Sequence, residues 1–167
     1  MRSLPRILLV SLSAVAVAAP ASVSGQRTDD QIVPKSVELQ QRGKALISAG
    51  KLDDAEDLLE TSLAIDPRNR WAFVDLARVA EKQRLFGKAI RMTNKALMLE
   101  PNDTDALAVQ GEAMVEMGAV ARAQINLQKL QTICGAKGCP QIGQLSAAIT
   151  RGPTVASAKA PASPKSN

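Results

Sequence analysis

The sequence predicts an all-α fold: three stacked helix pairs closed by a C-terminal capping helix. One observation is a 34-residue beat. Gly43, Ala77 and Gly111 keep that step, as do Ala55, Ala89 and Ala123, and the prolines Pro67 and Pro101. Leu39, Phe73 and Leu107 share it with Ile65, Leu99 and Ile133, and with Leu52, Phe86 and Val120. A fixed period of this length means repeated supersecondary units rather than one closed globule. A second observation is that apolar residues within each unit recur at steps of three and four, the spacing of a helix face. A third is that the only aromatics are Trp71, Phe73 and Phe86, so the core is built from Leu, Ile, Val, Met and Ala. Small side chains let helix axes approach closely.

The first unit spans 36–69. Val37, Leu39, Leu46 and Ile47 share one face, and Leu52, Ala55, Leu58, Leu59, Leu63 and Ile65 form a second stripe. Gly50 separates the two and suits a left-handed cap. Asp53, Asp54, Glu56 and Asp57 crowd the start of the second helix, where the helix dipole favours negative charge. Asp66-Pro67 stops that helix. The second unit, 70–103, predicts helices over Trp71–Gln83 and Phe86–Leu99 before Glu100-Pro101. The third, 104–137, predicts helices from about Thr104 to Met117 and Val120 to Ile133, with Asn102 as the expected N-cap. Gly43, Ala77 and Gly111 fall on the first helices, where a larger side chain would hold a neighbour away. Glycine there costs about 1 kcal/mol relative to alanine, which close packing would offset.

These small, Ala, Pro and apolar positions, with the endings LAIDPRN and LMLEPND, make the chain resemble the tetratricopeptide repeat family over about Ser36 to Ile133. The resemblance implies a right-handed superhelix of antiparallel helix pairs whose concave groove holds a peptide or helix of another protein. It implies that the first helices line that groove, presenting Gln40, Gln41, Lys44, Trp71, Val74, Asp75, Arg78, Lys82, Asp105, Val109 and Glu112. Trp71 is either a binding hot spot or a packing residue. Chaperone-binding members clamp a terminal carboxylate with paired Lys and Asn. Here Lys44 and Arg78 supply charge without the Asn, so that function does not carry over. Thr93 stands where the other units have Leu59 and Leu127, which predicts that unit two is the loosest.

Where the third unit should end in acid-proline, the chain reads Cys134-Gly135-Ala136-Lys137-Gly138-Cys139-Pro140. A capping helix over 140–150 follows, with Ile142, Leu145, Ala148 and Ile149 on one face. Terminal repeats need such a cap. Three readings stand for Cys134 and Cys139: a structural disulfide, free thiols, or a metal or redox site. The C-x4-C spacing is not that of thioredoxin-like sites, and a chain without histidine would need carboxylates to complete a zinc site.

No histidine also excludes Ser-His and Cys-His catalysis as usually built. No Gly-rich phosphate loop is present, and the acidic run Asp53 to Glu60 reads as a solvated helix start. The expectation is a non-enzyme with no cofactor and no metal. Charge argues against nucleic acid. The chain has 21 basic and 16 acidic residues; Arg2 and Arg6 lie in the N-terminal segment and Arg151, Lys159 and Lys165 in the tail, so residues 22–150 are formally neutral. A polyanion-binding domain would carry a basic face with stacking aromatics. Arg68 to Lys95 holds eight basic and two acidic residues, either a solvated repeat or a patch for an acidic partner or wall polymer.

Residues 1–21 have the layout of a secretory signal peptide: Arg2 and Arg6, an apolar stretch from Ile7 to Ala19, then Ala-x-Ala sites at Ala16–Ala18 and Ala19–Ala21. An uncleaved anchor is the alternative. Residues 22–35 read as a linker and 151–167 as a disordered tail, with a weak contact to an anionic surface as its alternative. The expected protein is a secreted or periplasmic bacterial adaptor for a protein or peptide partner, with no integral membrane segment after cleavage and weak self-association left open. The alternatives are a component of a pilus or secretion assembly machine, and a cell-wall or anionic-polymer binder.

Overall fold

The computed structural model describes residues 32–154; the signal-peptide expectation and most of the tail lie outside them. Seven α-helices follow in order: α1 Pro34–Ser48, α2 Leu52–Ile65, α3 Arg70–Lys82, α4 Phe86–Leu99, α5 Thr104–Glu116, α6 Val120–Cys134 and α7 Pro140–Arg151. A 3-10 turn at Gly135–Lys137 joins the last two. The described residues contain no strand, and the helices pair as antiparallel hairpins in a right-handed superhelix. α1 begins at Pro34, inside the predicted linker, because Pro is preorganised for a first helical turn. The Val33 N–H donates to Asp66 Oδ2 at 3.0 Å, which anchors that start to the end of α2.

Two kinds of turn alternate along the stack. After α1, α3 and α5 the chain closes a Schellman motif, with two backbone bonds back to the last turn. Lys51 N–H donates to Leu46 O, Leu85 to Ala80 O and Ala119 to Met114 O. The residue at the left-handed position is Gly50 (φ 73°), then Arg84 (φ 62°), then Gly118 (φ 77°). Arginine there carries a steric cost of roughly 1–2 kcal/mol that glycine escapes.

After α2 and α4 the acid-proline turns end in a side-chain N-cap for the next helix. Asn69 accepts from Ala72 N–H, and Asp103 accepts from Ala106 N–H at 2.8 Å. The cap of α5 is therefore Asp103 and not Asn102, whose own N–H donates to Glu100 Oε1. Asn69 and Asp103 keep the 34-residue step, which fixes the cap one residue later than the local pattern suggests.

The core is distributed rather than central. Ala55, Leu59, Ala72, Leu76 and Val79 join the first pair to α3. Val74, Ala77, Ala89, Ala96, Ala106 and Val109 join the second pair to α5. Leu107, Val115, Ala123, Leu130 and Leu145 join the third pair to α7. Each hairpin thus completes its burial on its successor. Thr93 is fully buried, but its hydroxyl donates to the Ala89 carbonyl at 3.0 Å. A buried hydroxyl so satisfied avoids the cost of an unpaired polar group.

The cap seats as the repeat requires. Leu145 is fully buried, and Cys134 and Cys139 form a pair with sulfur atoms 2.04 Å apart and Cα atoms 5.7 Å apart. α7 runs to Arg151, and Thr154 N–H donates to Glu116 Oε2 at 2.8 Å, so the first residues of the expected tail are bound to α5. No helix among the described residues is long and apolar enough to cross a membrane.

Candidate functional site

The odd-numbered helices pack along one another, α1 on α3, α3 on α5 and α5 on α7, and so form one continuous face. A polar ladder crosses it. Gln40 on α1 donates to Asp75 on α3. Arg78 donates from Nη1 to Asp75 at 2.7 Å and from Nη2 to Asp105 on α5 at 2.9 Å. Gln141 on α7 donates to Asp105 Oδ1 at 3.1 Å. One chain of hydrogen bonds therefore ties all four odd-numbered helices together. Gln40, Asp75, Arg78 and Asp105, expected to face a partner, are bonded to one another, and of the four Arg78 also lines the hollow between α3, α5 and α7.

Two more of the expected residues are core. Val74 is 2% exposed and Val109 1%, both in the cluster between the second pair and α5. Val74 offers no groove surface, because α3 is rotated to bury it on its neighbours; Val109 contributes only to a cavity wall. Trp71 is half-buried, and the Arg70 guanidinium lies 4.4 Å from its ring centroid. Arg70 also pairs with Asp103, the cap of α5, which ties the Trp71 neighbourhood to packing between repeats. Gln41 and Lys44 are exposed.

Lys82 and Glu112 do line a hollow. A cavity of about 500 Å3 opens between α3, α5 and α7, with Arg78, Glu81, Arg84, Glu116 and Arg151 also on its walls. Its charge is unusual. Glu81 is pushed up to about 8, first by burial and next by the Glu112 charge, against the opposing pull of Arg78. Glu112 is raised too, mainly by burial, with Gln144, Arg151 and Arg78 acting the other way. Its Oε1 is buried without a hydrogen-bond partner. Glu116, by contrast, is engaged by Thr154 and by Arg151 at 3.8 Å.

Sequence reasoning passed over Glu81 and Arg84, although the period marks both. Ile47, Glu81 and Val115 stand 34 apart, and the flanking two are buried. A carboxylate in an apolar column is what shifts its proton affinity. Gly50, Arg84 and Gly118 stand 34 apart as well. The two departures from the repeat are three residues apart and line the same cavity.

Half of the basic stretch is neutralised by ion pairs within the fold. Arg68 pairs with Asp66, Arg70 with Asp103, Arg78 with Asp75 and Asp105, and Lys88 with Glu56. The described residues contain no group of three or more His, Cys, Asp or Glu side chains placed to hold a metal ion.

An open stack of helical hairpins, each completed by its successor and hollowed on the face of its first helices, defines a helical repeat protein. Residues 46–113 match the tetratricopeptide repeat family, so this stretch of the chain carries tetratricopeptide repeats. No curated protein matches it. Among solved structures it is similar to the tetratricopeptide domain of Sgt2 from Aspergillus fumigatus, at 22% identity and a TM-score of 0.66, covering 76% of this chain and 83% of that one. It is also similar to the TPR2B domain of yeast Sti1 in a complex with pHsp70, at 21% identity, TM-score 0.63, and 70% and 97% coverage. A third is the type III secretion translocator chaperone SycD of Yersinia enterocolitica, at 17% identity, TM-score 0.62, and 71% and 89% coverage. Identities this low speak to the fold.

Proposed function

We propose that this protein is a non-catalytic adaptor of the bacterial cell envelope, which holds a peptide or helix of another protein against its odd-numbered helices. The observation that carries the reading is the 500 Å3 cavity with the unpartnered Glu112 Oε1 on its wall. A buried carboxylate oxygen without a donor costs free energy, and a ligand that supplies a donor recovers it. Support of a general kind comes from the similar folds: PcrH is seen in complex with the chaperone-binding region of PopB, and the second tetratricopeptide domain of Spaghetti bound to an HSP90 peptide. The family's carboxylate-clamping pattern is not what this chain offers. Its cavity sets three carboxyl groups, Glu81, Glu112 and Glu116, among four cations, and a donor-rich segment suits Glu81 and Glu112.

Export supports the same reading. The basic start, apolar core and Ala-x-Ala sites of residues 1–21 have the layout of a secretory signal peptide and support a location in the periplasm or outside. There the Cys134–Cys139 pair persists as a structural disulfide. N-terminal sequencing of protein from a periplasmic fraction tests export: a start near residue 22 supports it, and an intact Met1 in the cytoplasm overturns it.

Site-specific photo-crosslinking in envelope extract tests the groove. A crosslinker at position 82, in the cavity, should capture a defined protein that one at position 124, exposed on α6, does not. Equal capture from both positions, or none from 82, overturns the groove reading.

A further inference from the structure

We propose a second docking surface, on the turn edge of the stack, for an acidic segment that carries apolar anchors. The surface is a shallow depression of about 440 Å3 lined by Arg84, Leu85, Phe86, Gly87, Lys88, Arg91 and Met117. It lies where the α3–α4 turn meets the end of α5, adjoining the concave cavity through Arg84 and Phe86. Leu85 is 50% exposed and Met117 58%. Exposed large apolar side chains gathered in one hollow mark an interaction site more than scattered ones do.

Charge identifies the occupant. Three cations border the depression, and no acid does. Lys88 is paired with Glu56. Arg84 and Arg91 make no ion pair among the described residues. Two free guanidiniums beside an apolar floor complement carboxylates that flank apolar side chains, since guanidinium binds carboxylate in a fixed, bidentate geometry. A hollow of this volume accepts side chains, which a flat bilayer surface does not present.

The backbone supplies an independent argument. Arg84 occupies the left-handed position that its counterparts Gly50 and Gly118 fill with glycine. A Cβ at Gly50 or Gly118 would meet nothing within 4 Å, so the repeat itself sets no packing need for a side chain at this position. Strained positions that persist against the local rule concentrate at functional sites.

The test uses the full exported chain and two labelled synthetic peptides, one of paired glutamates alternating with paired leucines, the other with lysine for glutamate. Fluorescence anisotropy should show binding of the acidic peptide only. Arg84→Gly should weaken it about tenfold or more, as expected for a lost charge-assisted bond, while the melting temperature holds or rises. Arg91→Gln should weaken it with unchanged melting. Lys82→Glu, in the concave cavity, should leave this binding as it was. Amide shifts on titration should centre on Leu85, Gly87 and Met117. Absence of acidic-peptide binding, equal binding of both peptides, shifts centred on Glu112, or binding to anionic vesicles in place of the peptide would each overturn the proposal. Because Lys82→Glu addresses the groove and Arg91→Gln the edge, failure of one surface is distinguishable from failure of the other.

Discussion

Leu145 of the capping helix rests on Gly111 of α5: a Cβ at position 111 would stand 2.6 Å from Leu145 Cδ1 and 2.7 Å from Cδ2. Gly43 meets Leu59 in the same way, with Leu59 Cγ 2.7 Å from the place of its Cβ. The cap therefore copies on α5 the contact that α2 makes on α1. It is a surrogate helix rather than a lid. Gly111→Ala gains about 1 kcal/mol of helix propensity and loses about 1–3 kcal/mol to overpacking, since the opposing atoms belong to a fully buried leucine. The expected result of chemical denaturation is a net loss of about 1 kcal/mol. Leu145→Ala should cost about 2–5 kcal/mol. In the double variant the overpacking vanishes with the leucine side chain, so the two losses should combine to less than their sum. Strict additivity would mean that the two residues do not share this contact.

The period made most of this architecture legible. Small residues at 43, 77 and 111 and alanines at 55, 89 and 123 could be read as close-packing positions because several columns shared one step. The site was less legible, for two physical reasons. Gln40, Asp75, Arg78 and Asp105 look like groove residues by composition. Only the relative rotation of the helices shows that they bond each other. Glu81 and Arg84 were readable in principle as breaks in columns otherwise apolar or glycine, but a scan for matching positions passes over the mismatches. The cap at Asp103 was missed because local spacing favoured Asn102 while its counterpart Asn69, one period back, favoured 103.

Glu81 makes stability fall as pH rises above the ordinary carboxylate range. Its folded proton affinity, raised to about 8, exceeds that of the unfolded chain. The native state thus binds more protons than the unfolded state from about pH 4.5 upward, and stability drops with pH across that window. The contribution is fully present below the unfolded value and is gone once pH has passed the folded one. Glu112 acts in the same direction, while Glu56 and Asp66, both lowered by their cationic partners, act only at more acid pH. Glu81→Gln should therefore stabilise relative to wild type by about 1.4 kcal/mol or more at pH 8.5 than at pH 5, the equivalent of at least a tenfold change in proton affinity. Melting curves at the two pH values read the difference. A parallel pH response in both proteins would remove Glu81 from the account.

Asn69 holds the first two units together through groups with no exposure at all. Its amide donates to Ser36 Oγ at 2.9 Å and lies 3.1 Å from Ser62 Oγ, and its carbonyl oxygen caps α3. Ser36 donates to Ser62 O, and Ser62 to Ser36 O. Asn69→Ala should cost about 2–3 kcal/mol, the sum of a lost N-cap and of hydroxyl acceptors left short of a donor. Asn69→Ser keeps a capping oxygen and should recover only the cap's share, about 1 kcal/mol. Urea denaturation measures both; equal losses in the two variants would show that the cap contributes nothing and that the amide contacts to Ser36 and Ser62 alone matter.

Closing the Cys134–Cys139 loop should matter most at the C-terminal end. The two cysteines are five residues apart, and the chain-entropy model gives about 2 kcal/mol for so short a loop. Among the described helices α7 packs chiefly on α5 and α6, whereas α3 is held by α1, α2, α4 and α5. A one-sided element opens more readily than a central one. Replacing both cysteines with serine should therefore raise amide exchange across Pro140–Arg151 while α1 to α4 keep their protection. The concave cavity should loosen too, since Gln144 and Arg151 of α7 line it. Hydrogen exchange read by mass spectrometry, with and without reductant on the unaltered protein, separates the pair's contribution from that of the serines. Uniform loss of protection along the whole stack would mean that the loop secures the entire superhelix rather than its last helix.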